Sequence, residues 1–332
     1  MSSVAAGPAK AAVSGADIAR WVAILIAVLA LIAVPYAIRQ VYYVNIASQI
    51  LLYAVFALGL NVLVGYAGLV SLGHAGLFGV AAYIDAYLVS TGHSHALAIV
   101  AALLGGTAAT AVFAALSLRA TGISFIMITL ALGEIIWGLA YRWISVTGGD
   151  NGISVSTRPA PFGLSLSSPQ AFYNATLVVF LLSVLAVAIF VRSPFGAALC
   201  GTRDQPRRMN ALGYHVWMIR FGAFLFSGLL TAAAGVLFVY YNEFISPQAL
   251  ALTASAEGLL MVISGGAGTL LGPVVGAALV VIVKNVVSAY ITRWNFMLGA
   301  IFVAIVIFMP EGLVPGAVRL TRSAWRASRK RR

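Results

Sequence analysis

The stretch Asn61-Val62-Leu63-Val64-Gly65-Tyr66-Ala67-Gly68-Leu69-Val70-Ser71-Leu72-Gly73-His74-Ala75-Gly76-Leu77-Phe78-Gly79 decides how this chain is read. Five glycines fall in the fifteen residues from 65 to 79, inside a run that would otherwise form one continuous apolar helix. Glycine at this density interrupts a helix, because its backbone is costly to order and readily turns. At membrane depth a broken helix survives only where it is buried in protein or lines an aqueous cavity. Asn61, Gly65, Gly68, Ser71, Gly73 and His74 are therefore the first candidates for a translocation pathway.

The composition on either side of this stretch is that of a membrane protein. Of 332 residues, 62% are hydrophobic and 8% charged, and the mean hydropathy is +1.01. Soluble domains carry about 25% charged residues. Secreted, cytosolic and disordered chains are excluded, and so are outer-membrane barrels, whose apolar residues alternate instead of forming blocks. The blocks here are Trp21–Ile38, Ile46–Val64, Gly73–Ser90, Ala96–Leu118, Gly122–Tyr141, Ala171–Val191, Met218–Tyr241, Ala249–Ser264, Leu271–Ile291 and Phe296–Val314. The fold class expected is an all-α polytopic membrane protein of about ten transmembrane helices, some broken by glycine.

Charge sets the orientation. The net charge is +12, but seven of the twenty basic residues lie between Arg319 and Arg332, and most others sit between apolar blocks. That is the positive-inside pattern, not a nucleic-acid surface. The loop Arg192–Arg220 holds five arginines. With it and the tail both inside, alternation places fifteen basic residues in the cytoplasm and four outside (Arg39, Arg142, Arg158, Arg293), with Lys284 in a span. Both termini are then cytoplasmic. The expected organisation is an N-terminal segment over 1–20, a transmembrane domain over 21–314 with a cytoplasmic loop at 192–217, and a basic tail over 315–332. Lys10 and Arg20 precede a first apolar run too long for a signal peptide and without a small-x-small site, so it reads as a retained span. Cys200 is the single cysteine and forms no intramolecular disulfide.

Two loops carry structure signals. Arg142–Gln170 is external, with Thr147-Gly148-Gly149-Asp150-Asn151-Gly152 as turn chemistry and Pro159, Pro161 and Pro169 as stiffeners. In the cytoplasmic loop, Asp204 as N-cap, Pro206 in the first turn and Gly213 as the stop predict a two-turn helix over Gln205–Leu212. Arg207 and Arg208 would face outward, with Met209 and Leu212 as an apolar edge.

The chain has no G-x-x-x-x-G-K-[ST] phosphate loop, so ATP-driven movement would need another chain to hydrolyse ATP. No zinc spacing and no nucleophilic triad is present; the chain is not expected to be an enzyme, and no cofactor or metal is expected. His93 and His95 read as a bare external loop. Ionisable residues in spans are costly and are functional candidates by default. Glu134 and Glu257 lie deep and admit either a structural hydrogen bond or a pathway role, while Asp85 and Lys284 lie close enough to span ends to snorkel or mark a boundary. Ser264, Gly268, Gly272 and Gly276 recur every four residues, a small-residue ladder for close helix packing.

Six stretches give the chain a family resemblance: Leu60–Gly68 with Ser71–Ala75, Thr129–Ile135, Thr147–Ile153, Ala211–Tyr214, Phe244–Pro247 and Gly265–Ala277. In this order they resemble the LivM-type permeases of branched-chain amino-acid ABC importers, over about Asn45 to Val314. The resemblance implies a bacterial inner-membrane permease subunit. Its partners would be a second, LivH-type permease, two ABC ATPase subunits, an external substrate-binding protein and the lipid bilayer. It also implies that a short cytoplasmic helix docks into each ATPase, here the segment Thr202–Tyr214 with Arg203, Asp204, Arg207, Arg208, Met209, Leu212 and Gly213. The chain departs from the family there, with Gln205-Pro206-Arg207-Arg208-Met209-Asn210 replacing acidic and alanine residues. Similar permeases serve urea or short amides. From another class, a stand-alone proton-coupled transporter would use Glu134, Glu257 and His74 as a relay.

Overall fold

The computed structural model describes residues 26, 28–37, 40–155, 166, 168–290, 294–309, 311–316 and 319. The N-terminal segment 1–20, Arg39, Pro159, Pro161, Arg158, Arg293 and nearly all of the basic tail lie outside the described residues.

The chain forms α1 (Val28–Ala37) and α2 (Val41–Asn61), which continues into a π-helical turn, Val62–Ala67. Then follow α3 (His74–Ser90), α4 (His95–Ser117), α5 (Ile123–Arg142), the single turn α6 (Ile144–Thr147) and β1 (Ile153–Ser154). Next along the chain come α7 (Pro169–Arg192), α8 (Pro194–Asp204), α9 (Pro206–Ala211) and α10 (Val216–Asn242). The last elements are β2 (Phe244–Ile245), α11 (Leu252–Gly265), α12 (Gly272–Tyr290) and α13 (Trp294–Phe308). Among the described residues, five helices, α2 with its π turn, α4, α5, α7 and α10, are long and apolar enough to cross a membrane. The protein is a helical multi-pass membrane protein.

α10 is the central post. It lies against α2, α3 and α4, and α2 is closed on its other sides by α7 and α12. Both posts are apolar all round, as a buried helix must be, and small residues bring the backbones together. A Cβ at Gly59 of α2 would touch the Ser227 carbonyl of α10, and one at Gly235 would collide with the Phe78 carbonyl of α3. Around this core, α4, α5 and α7 turn Leu104, Met127, Ile135, Val178, Leu182 and Ile189 outward, forming the apolar coat that lipid requires.

α3 and α11 are short, 17 and 14 residues, or about 25 and 21 Å at 1.5 Å per residue. Each is preceded by a break in α-helix, irregular chain over 68–73 before α3 and β2 with a 3-10 turn (Pro247–Leu250) over 243–251 before α11. Both breaks start at a left-handed residue, Gly68 (φ 69°) and Glu243 (φ 54°).

The fold is all-α apart from one short antiparallel pair, β1 with β2, Ile153 opposite Ile245 and Ser154 opposite Phe244. Two expectations need correction. The loop 192–217 holds two helices, because Ser193 caps α8 by accepting from the Gly196 N–H at 3.2 Å, with Pro194 in the first turn. Asp204 is consequently the last residue of α8 and does not cap α9, whose N-cap is Gln205 without a side-chain bond. The small-residue ladder runs across the chain reversal: Ser264 is in the last turn of α11, Gly268 (φ 78°) sits in the reversal, and Gly272 and Gly276 lie in the first turns of α12.

Candidate transport site and coupling face

The broken segment is a knot of buried polar bonds. Asn61, in the last turn of α2, donates through its amide nitrogen to the Thr269 carbonyl and accepts the Gly268 N–H, both at 2.9 Å. It thereby stitches the end of α2 to the reversal between α11 and α12. At Gly65 a Cβ would collide with the Gly268 backbone, and at Gly276 with the Met261 carbonyl. Chain passes directly over chain at both places, which only glycine permits.

His74, the first residue of α3, is 0% exposed. Its Nε2 lies 3.0 Å from Ser227 Oγ and its Nδ1 2.9 Å from Ser71 Oγ. Ser227 has one hydroxyl proton, and it goes to the Gly59 carbonyl at 2.6 Å. Nε2 therefore carries the ring proton and donates to Ser227, while Nδ1 accepts from Ser71. Because Ser227 is the twelfth residue of the 27-residue α10, α3 begins half-way along the bundle. Backbone donors at its start are satisfied there by side chains: Ala75 N–H of α3 by Ser255 Oγ (3.0 Å) and Leu72 N–H, just before the helix, by Thr129 Oγ1 (3.3 Å). Gly73 and Gly76 abut Gly133 of α5, and a Cβ at Gly73 would collide with the Thr129 carbonyl.

Glu134 is half-buried on α5, one residue past that contact, and Glu257 is on α11. The structure does not gather the relay imagined for Glu134, Glu257 and His74, since both nitrogens of His74 are occupied by serines. Of the expected pathway residues, only Glu257 lines the cavity that contains Lys284. This cavity, about 340 Å³, lies between α2, α3, α10, α11 and α12. Its wall includes the edge-to-face series Phe56–Phe78–Phe238, with ring centroids 5.4 and 5.2 Å apart. Tyr53, Gln248, Thr253 and the pair Glu257–Lys284 supply its polar groups. Lys284 Nζ reaches both carboxylate oxygens of Glu257, at 3.1 and 3.3 Å. Lys284 is therefore an ion-pair partner at a cavity and not a snorkelling end residue. Asp85 does not mark a boundary either: it is fully buried in α3, where its Oδ1 accepts from the Tyr240 hydroxyl at 3.2 Å.

At the far end of α10 from β2, α9 stands clear of the body, with none of its residues buried. Arg207, Arg208 and Leu212 (65% exposed) face outward, and Tyr214, Trp217 and Met218 extend the apolar patch. Met209 instead folds back, its sulfur lying over Gly201 of α8. Gly213 takes the left-handed stop (φ 86°). α8 is tied inward twice: Arg203 donates to the Gly65 carbonyl and Arg220 of α10 to the Thr202 carbonyl, both at 2.8 Å. The Asp204 carboxylate, bonded to Arg203 Nε at 2.8 Å, raises the pKa of that guanidinium above its ordinary value.

The family described as branched-chain amino acid transport system / permease component matches residues 42–306. The chain belongs to this family. The high-affinity branched-chain amino acid transport permease LivM of Salmonella typhimurium is 30% identical over 299 residues, covering 82% of this chain and 70% of the relative. LivM of Escherichia coli K12 gives the same identity and coverage. The autoinducer 2 import permease LsrC of Escherichia coli is 29% identical over 69% of this chain and 68% of its own length. No solved structure matches. The resemblance read from the six stretches is thus borne out, and the fold shows why they matter together. Leu60–Gly68 meets Gly265–Gly272 through Asn61, Ser71–Ala75 meets Thr129–Gly133 through Thr129 and Gly73, and Thr147–Ile153 meets Phe244–Pro247 through the β1–β2 pair.

Proposed function

We propose that this permease component is the membrane subunit of an ABC importer for branched-chain or other apolar amino acids in a bacterial inner membrane. It would pair with a LivH-type permease, receive solute from an external binding protein and be driven by two ATPase subunits that hydrolyse ATP. The ten spans are α1, α2, α3, α4, α5, α7, α10, α11, α12 and α13, with both termini in the cytoplasm.

The observation that carries this reading is α9. A basic two-turn helix with no buried residue, beside exposed Leu212 and Tyr214, is an interface without its partner. Its brace is continuous with the transport body, because α8 reaches the π turn of α2 through Arg203 and Gly65. A displacement of α9 would be passed to the broken helix without being absorbed. The proposed roles are coupling for Arg203, Asp204, Arg207, Arg208, Met209, Leu212 and Gly213, and close packing for Gly268, Gly272 and Gly276. Glu257 takes a place on the pathway wall; Asn61, Gly65, Gly68, Ser71, Gly73 and His74 hold the broken helix behind that wall, with Glu134 beside it on α5. Co-expression with a LivH-type permease, the two ATPase subunits and an external binding protein tests the reading: the chain should co-purify with the ATPases and support ATP-dependent leucine uptake in proteoliposomes. ATP-independent uptake by the chain alone would overturn it.

A further inference from the structure

The cavity at Glu257 has a composition that names its ligand. A glutamate and a lysine face each other there at 3.1 Å, their side chains 20% and 34% exposed, so both reach the cavity while remaining largely inside the protein. Stability alone is a weak reason to keep such a pair, since buried ion pairs are often no better than well-packed apolar replacements, and intramembrane ionisable residues are functional by default. Beside the pair, the Phe56–Phe78–Phe238 wall is apolar and rigid. At about 340 Å³, the cavity falls at the small end of the ~300–1,000 Å³ range of ligand sites.

We propose that this cavity binds the free amino-acid zwitterion in transit: Glu257 takes the α-ammonium, Lys284 the α-carboxylate, and the phenylalanine wall the apolar side chain. The assignment rests on the amino-acid permease reading and names the site for it. Opening the Glu257–Lys284 bond to admit a zwitterion leaves neither charge unpaired, because each protein group exchanges one opposite charge for another. The same exchange keeps net affinity low, since the lost ion pair offsets the new ones, and a passage site must release what it admits. A neutral amide such as urea carries no charge to exchange with either group, so the site favours the zwitterion over the amide alternative.

Two experiments on the assembled complex test the assignment. In the first, Glu257→Gln with Lys284→Met should co-purify in normal yield with the partner subunits and lose at least tenfold of leucine uptake. Wild-type uptake in that double variant, or its failure to assemble, would assign the pair to structure and overturn the proposal. In the second, which leaves the ion pair intact, Thr253→Cys is placed at the cavity wall in a Cys200→Ser background and labelled with a maleimide. Leucine should slow labelling at least threefold, and more than 4-methylpentanoate, which lacks the ammonium, or 3-methylbutylamine, which lacks the carboxylate. Equal protection by all three, no protection by leucine, or protection by urea alone would overturn the zwitterion site. Wild-type leucine uptake separates the two claims: its presence beside a failed test removes only the site, whereas its absence removes the amino-acid reading as well.

Discussion

At the end of the bundle that carries α8 and α9, backbone lies on backbone. Gly65 meets Gly268, Asn61 bonds across to Gly268 and Thr269, and Arg203 closes onto the Gly65 carbonyl. Farther along the same helices, around Glu257 and Lys284, five helices stand apart around a cavity walled by phenylalanines. Both regions contain residues that the sequence singles out, but for opposite physical reasons. Glycine density marks where chains touch, because only a missing side chain permits contact. An ion pair inside a membrane body marks a cavity or an interior partner, because charge there needs compensation. In this molecule the glycines close the knot and the charges line the cavity.

The largest expected effect falls on the packed region. Gly73→Leu would drive a side chain into the Thr129 carbonyl and the Phe113 ring, well beyond the ~1–3 kcal/mol typical of an overpacked core. Folded protein should be nearly absent from membranes, as fluorescence-detected size exclusion would report. Full accumulation with blocked uptake would break the comparison by making Gly73 part of an open pathway.

Next in size is the double reversal Arg207→Glu with Arg208→Glu. Truncating one side of a desolvated charge pair costs ~2–5 kcal/mol of association. Accumulation should be unchanged while ATPase co-purification falls by at least tenfold. Unaltered association and uptake would show that these arginines only anchor the chain on its positive-inside face.

Asn61→Ala sharpens the comparison from within the knot. It strands the half-buried Gly268 N–H and Thr269 carbonyl, which together should cost ~1–3 kcal/mol, since the full penalty of an unpaired group applies to buried ones. A fall of several degrees in the unfolding temperature of the purified complex is expected, and an unchanged temperature would show that water replaces the amide. Arg203→Met should have the smallest effect, about 1 kcal/mol, because that side chain is 40% exposed. Its mark should be weaker coupling of ATP hydrolysis to uptake rather than lost folding.

Much of the fold was legible. Ala171–Val191 as read matches α7 (Pro169–Arg192), and Met218–Tyr241 matches α10 (Val216–Asn242), because hydropathy blocks are set by the thickness of the apolar phase. α8 went unread although Ser193-Pro194 announces its start, since Gly196, Gly201, Arg203 and Asp204 give it a loop's composition. The β1–β2 pair is two residues per strand and has no alternation to detect. The four-residue glycine spacing was legible as close packing, but periodicity cannot see the chain reversal over 266–271 that the ladder crosses. The cavity was legible only in part. Glu257 stood out by its depth, but Lys284 lies 27 residues away on another helix, and Phe56, Phe78 and Phe238 are ordinary apolar residues until folding brings them together.

The central claim is that the charged cavity is open to solute and the glycine knot is closed. Thiol labelling in intact cells tests it most directly, with Thr253→Cys and Ser71→Cys each in a Cys200→Ser background and a water-soluble maleimide as the probe. Thr253→Cys should label readily and Ser71→Cys, which is 1% exposed in the native protein, should stay unlabelled unless the protein is denatured. Rapid labelling at position 71 with protection at 253 would contradict the account and return the pathway to the glycine-broken helix.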